Sequence, residues 1–231
     1  MSTNHSILAH HFEDLEQQRE TETFGMWLFL ATEILIFGAI ITAYLIYRLR
    51  YPHDFEAASA KLNVLIGSIN TIVLLSSSLT MVLSVHAVRA GRPTMLMTCL
   101  LLTLLLGATF LGFKAVEYYL DYKEELVPGL KFNLGEWTKA EGAEVPVNPE
   151  RVKLMLAFYY IMTGLHAVHM IVGMGLLVWL VTRARRGTLT PVRYMAVEVV
   201  GLYWHFVDIV WIFLLPLLYL TGTHHLSDLH F

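Results

Sequence analysis

The sequence predicts an all-α fold, a polytopic membrane helical bundle with five transmembrane helices, and three observations carry that prediction. Of 231 residues, 56% are hydrophobic and 15% charged, which lies outside the mixture usual for a soluble domain. The apolar residues gather into five stretches at or above the roughly 20 residues that a spanning helix needs. Lipid offers backbone amides no hydrogen bonds, so runs of this length are helices; barrel strands would read as about 10 residues of alternating polarity.

Residues 1–23 are polar and acidic, carry His5, His10 and His11, and contain no apolar core that a signal peptidase could follow, so they read as a tail. The membrane domain occupies 24–220, with spans at 24–47, 64–88, 95–119, 154–181 and 194–220. Cys99 stands alone inside the third span, which excludes a disulfide framework and a thiolate metal cage and leaves a packing role. The long connection 120–153 holds Pro128, Gly129, Pro146 and Pro149, with seven acidic and five basic residues, and reads as an outer loop. Residues 221–231 form a C-terminal tail. There is no internal repeat, and the broken, inverted helix pairs of many secondary transporters are absent. Gly38, Ser76, Ser77, Ser78, Gly107, Gly112, Gly164, Gly173 and Gly175 are the expected helix contacts, because small side chains let backbones approach where lipid gives no hydrophobic drive.

Five spans put the termini on opposite sides. Counting Lys and Arg in the connections gives seven on one side and eight on the other, so position decides. Arg183, Arg185, Arg186 and Arg193 crowd one short loop, whereas the tail after Leu220 has no Lys or Arg. The N-terminus is therefore expected in the cytoplasm and the C-terminus outside. A net charge of −3 argues against a nucleic-acid partner.

Ionisable residues at membrane depth are the candidates for function, since each costs a few kcal/mol there unless paired or turned toward protein. They are Glu33, His86, Lys114, Glu117, His166, His169, Glu198, His205 and Asp208. Lys114, Glu117 and His86 lie near span ends, where snorkelling suffices. Glu33 sits among Leu30, Ala31, Ile34 and Leu35; it reads as a proton-relay carboxyl, a lipid-head contact, or an interhelical hydrogen-bond donor. His166 and His169 share one helical face with Thr163 a turn before. That spacing suits a metal site or a haem ligand, but a di-iron centre needs Glu-x-x-His, which no span contains, so satisfied interior histidines are favoured. In the last span Glu198, Gly201, His205, Asp208 and Ile212 form one stripe that must face other protein, beside the packing aromatics Tyr203, Trp204, Trp211 and Tyr219.

These residues occur in runs that resemble cytochrome c oxidase subunit III in its short five-helix form. GMWLFLATEILIFGAIITAYLIYR is similar to that family's helix with one buried glutamate, here Glu33. LNVLIGSINTIVLLSSSLTMVLSVHAV resembles its Asn-Thr and Ser-rich helix, and LGFKAVEYY carries its Glu-Tyr pair as Glu117 and Tyr118. TGLHAVHMIVG supplies Thr163, Gly164, His166 and His169, and YWHFVDIVWIFLLPLLYL, preceded by Glu198, is the most specific run.

The resemblance implies an accessory subunit of a respiratory, proton-pumping haem-copper terminal oxidase in a bacterial inner membrane. It implies no catalytic residue and no metal in this chain, with haem and copper in partner subunits. Subunit I is the implied main partner, with subunit II and structural phospholipid, and the implied role is packing, lipid binding and support of proton uptake. Lipid-contacting positions fall on Glu33, His169, Arg183 and Arg186; Glu117, His166, Glu198, His205 and Asp208 complete the buried polar set. The longer family members carry two further N-terminal helices that complete a V-shaped lipid cleft, where this chain has its polar tail. The short form also occurs in quinol oxidases and beside nitric oxide reductases. Glu33 stands where quinol oxidase relatives tend to carry Asp, which favours the cytochrome c branch. A different class of reading is an independent metal-dependent membrane enzyme using His166, His169, His205 and Glu198.

Overall fold

A computed structural model describes residues 15–128, 131–132 and 147–220. His5, His10 and His11, most of the connection after Pro128, and the tail 221–231 lie outside the described residues.

Among the described residues, five helices are long and apolar enough to cross a membrane. They are α1 (Leu15–Arg50), α3 (Val64–Arg89), α4 (Pro93–Lys123), α5 (Pro149–Arg185) and α6 (Met195–Tyr219); α2 (Pro52–Ser59) is a short helix between the first two. The class is all-α and polytopic. The sequence places a polar tail up to residue 23, but α1 already begins at Leu15. Gln18, Glu20 and Glu22 are good helix formers, so the helix extends beyond its apolar stretch. Likewise α4 and α5 extend into the connection read as 120–153, leaving a two-residue antiparallel ladder, β1 (Leu126–Val127) with β2 (Lys131–Phe132).

Helix ends follow local chemistry. Proline opens α2, α4 and α5, where its missing N–H costs nothing. Asn63 Oδ1 accepts from the Ile66 amide at 3.1 Å, and Asn148 Oδ1 from the Glu150 amide at 3.0 Å, capping α3 and α5. After α3, Gly91 N–H donates to Val88 and Arg92 N–H to Ala87; after α5, Gly187 N–H donates to Ala184 and Thr188 N–H to Arg183. This paired pattern needs a left-handed residue, and Gly91 (φ 65°) and Gly187 (φ 66°) provide it.

The chain divides into two compact units, residues 1–35, 74–108 and 169–208, and residues 36–73, 109–168 and 209–231, with each long helix contributing to both. In the first unit Trp204 fills a slot between α4 and α5. A Cβ added at Gly107 would meet its ring at 2.8 Å, and one at Gly173 at 3.0 Å. Its indole N–H donates to Ser77 Oγ at 3.1 Å, and Ser77 in turn donates to the Thr103 carbonyl at 3.3 Å. Gly38, Gly112, Gly164 and Gly175, expected at contacts, face open space instead. In the second unit the buried core is aromatic: Tyr44, Phe55, Phe110, Tyr159, Trp211 and Tyr219. There Tyr44 OH donates to the Leu217 carbonyl at 2.8 Å and Ser59 Oγ to the Leu218 carbonyl at 2.6 Å, satisfying acceptors that a helix C-terminus leaves open.

Candidate functional site

In the first unit, α1 and α5 bring two of the sequence candidates together. Glu33 Oε2 and His169 Nε2 lie 2.9 Å apart, with side chains 12% and 14% exposed. Tyr203 of α6 donates its phenol proton to the His169 carbonyl at 2.9 Å. A deep carboxyl, an imidazole and a phenol from three helices thus form one polar knot, which meets the condition for keeping such groups at membrane depth.

Tyr203 also lines a groove of about 780 Å³. Its apolar walls include Met26, Phe29, Val172 and Trp179, and Arg19, Arg183 and Arg193 line it as well. Neither Glu33 nor His169 is part of the lining. Arg186 is exposed and does not line the groove, whereas Arg193 and Arg19 do. Arg183 packs 5.0 Å from the Trp179 ring. Apolar walls with three guanidiniums suit an amphiphile bearing an anionic head, since guanidinium pairs well with phosphate oxygens.

The stripe on α6 faces α3 at Glu198, Gly201 and His205, whereas Ile212 is exposed. Glu198 pairs with Arg89, whose guanidinium lies 5.2 Å from the Tyr194 ring. A Cβ at Gly201 would be in ordinary contact with Met81 and Val85. His205 Nδ1 and Ser78 Oγ are 2.7 Å apart. Asp208 is buried.

The second unit holds a cluster whose depth differs from the snorkelling expected at span ends, while Glu117 takes the buried polar position that the resemblance implied. Lys114 and Glu117, read as snorkelling, are 4% and 3% exposed. Lys114 Nζ donates to Glu117 Oε2 at 2.9 Å and to Tyr219 OH at 2.7 Å. Tyr159 OH donates to Glu117 Oε1 at 2.9 Å, and Tyr219 OH donates to the same oxygen. The ammonium also lies 4.7 Å from the Trp211 ring centre. Because α4 runs on to Lys123, Lys114 is not at a helix end, and the aromatic rings close over it. A buried charge survives by pairing, and here the pair is also fully hydrogen-bonded. Asp121 accepts from Tyr160 at 3.1 Å, and Tyr118 shares a 2.6 Å hydrogen bond with Thr163. His166, fully buried, packs on Phe110 and Trp211 at 5.5 and 5.1 Å between ring centres.

The donors named for a metal-dependent enzyme are dispersed. His169 faces Glu33, His205 faces Ser78, Glu198 faces Arg89, and His166 lies among aromatic rings. Among the described residues no three His, Cys, Asp or Glu side chains converge.

The family model for cytochrome c oxidase subunit III matches residues 2–122 and 153–223. A cytochrome c oxidase subunit 3 from Synechocystis is 33% identical over 85% of this chain and 74% of its own length. One from Alkalihalophilus pseudofirmus is 30% identical over 93% of this chain and 94% of its own. A haem-copper oxidase subunit I+III from Aeropyrum pernix is 30% identical over 85% of this chain, which covers 22% of that longer protein. The chain, a multi-pass membrane protein, belongs to the cytochrome c oxidase subunit III family.

Proposed function

We propose that this chain is the accessory subunit III of a bacterial cytochrome c oxidase, with the haem and copper held by its partners and no catalytic residue of its own. It packs against subunit I, neighbours subunit II, holds phospholipid in the groove lined by Arg19, Arg183 and Arg193, and sustains proton uptake. Contact with subunit I is supported by the Aeropyrum relative, whose name joins subunits I and III in one chain. Placement in the inner membrane with a cytoplasmic N-terminus is supported by the four arginines at 183–193.

The observation that carries the lipid role is the pairing of Glu33 with His169 beside an arginine-bearing apolar groove. Tyr203 belongs to both, so the knot sets the position of one groove wall. Glu117, His166 and Glu198 act as polar packing groups.

The test is Glu33→Ala, and separately Arg183→Ala with Arg193→Ala, in the assembled oxidase. Haem spectrum and copper content are expected to stay as in the parent, while phospholipid retained per complex falls and activity decays faster during sustained turnover. Parental lipid content together with parental working life in both variants would reject the reading.

A further inference from the structure

Each other buried carboxyl among the described residues has a partner. Glu33 has His169, Asp54 has the Asn148 amide and Arg151, Glu117 has Lys114 and two phenols, and Asp121 has Tyr160. Asp208 differs. It is 2% exposed, and the one polar side chain that stands against its carboxylate is the Ser78 hydroxyl, set too loosely to satisfy either oxygen. Ser78 lies beside it, already engaged with His205 Nδ1 at 2.7 Å. Buried polar groups in native proteins are nearly always satisfied, so a carboxyl with a single loose hydroxyl neighbour asks for an explanation.

The surroundings offer one. His205 is half-buried and lines a cavity of about 410 Å³ between α3 and α6, ample for water. The same cavity is lined by exposed His86, by Arg89 with its partner Glu198, and by apolar Val82, Val85 and Leu202. A line of exchangeable groups therefore runs from the cavity through His205 and Ser78 to Asp208. Among the described residues of the same unit, α4 contributes residues 93–108, which hold no acid or base except the Cys99 thiol. Glu33 and His169 are committed to each other, and Arg183 lies against Trp179.

We infer that Asp208 is a proton-holding site that exchanges with water in the α3–α6 cavity through Ser78 and His205. A buried carboxylate with no paired cation is disfavoured, so the surroundings suit the neutral acid. Loading proceeds by one proton in and one along. Water in the cavity protonates His205 at Nε2, Nδ1–H passes its proton to Ser78 Oγ, and the Ser78 hydroxyl proton moves to Asp208. The imidazole ends neutral with its proton on Nε2, the hydroxyl is restored, and the net change is one proton from the cavity to the carboxylate. Unloading is the reverse, and neither metal nor redox change enters. The site belongs to this chain whatever lipid fills the arginine-bearing groove, since the two cavities share no lining residue.

Infrared difference spectroscopy on the assembled oxidase in nanodiscs tests this. The C=O stretch of a protonated carboxylic acid is expected to shift in D2O, to respond to isotope-labelled aspartate, and to vanish in Asp208→Asn. Ser78→Ala and His205→Phe should keep that band but slow its hydrogen–deuterium exchange by about 100-fold, the low end of what a positioned acid–base group contributes. Ser78→Thr, which keeps the hydroxyl, should restore the rate. If no protonated aspartate band exists in the parent, the holding site is wrong. If exchange is equally fast in Ser78→Ala and His205→Phe, the route is wrong. Because isotope labelling and the two relay variants leave Asp208 in place, the result does not depend on Asp208→Asn assembling.

Discussion

Lys114 is the residue whose behaviour is best defined by its neighbours. Its ammonium has Glu117 and Tyr219 as hydrogen-bond partners and the Trp211 ring as a further contact, all in a buried setting. Removing one member of such a pair strands the other charge. Lys114→Met should lower unfolding stability by about 3–5 kcal/mol, the usual penalty for breaking a buried pair, read by denaturation in mild detergent. Lys114→Met combined with Glu117→Gln should recover much of that loss, and an additive double variant would show that the two side chains do not act as a pair. Glu33 and His169 were readable as candidates because a carboxyl and an imidazole at membrane depth are rare. Their pairing was not readable, since residues on α1 and α5 are 136 positions apart in sequence and nothing local aligns them. Lys114 was misread for a related reason. Distance from the end of an apolar stretch suggests snorkelling only if the helix ends there, and α4 does not.

Among elements, the meeting of α4, α5 and α6 at Trp204 depends on two absent side chains. Gly173→Ala should destabilise by about 1–3 kcal/mol, as overpacking does, because its new methyl meets the indole at 3.0 Å. Gly175→Ala, with nothing within 4 Å, is the control and should leave stability unchanged. Equal thermal midpoints for both variants would show that the slot has slack. The long helices themselves were legible because lipid imposes a length, and a run of more than 20 apolar residues has one conformation that satisfies its backbone. Which glycines matter was not legible. A small residue permits close approach on whichever face meets a neighbour, and only Gly107 and Gly173 of those anticipated on α4 and α5 meet one here. The eight-residue α2 was also missed, being too short to show a period; its Phe55 and Ala58 are nevertheless fully buried, and Asp54 ties it to the start of α5.

For the whole molecule, the charge pattern makes a statement about sidedness that can be measured directly. The single native cysteine, Cys99, is buried, so an impermeant maleimide should leave the parent unlabelled. Ala90→Cys, in the exposed turn after α3, should be labelled only from the cytoplasmic face, and Glu124→Cys, exposed after α4, only from the opposite face. The reverse pattern would invert the proposed orientation. Among the described residues, Glu33 with His169 joins α1 to α5, and Arg89 with Glu198 joins α3 to α6.

The hydroxyls of α1 and α2 that close the end of α6 tie distant parts of the chain together. Tyr44 and Ser59 come early in synthesis, yet their acceptors, the carbonyls of Leu217 and Leu218, come last. These two hydrogen bonds span 173 and 159 positions, so neither can form before α6 is in place. A chain shortened before Leu217 lacks both of these carbonyls, so the C-terminal turn of α6 is what completes the two long-range hydrogen bonds.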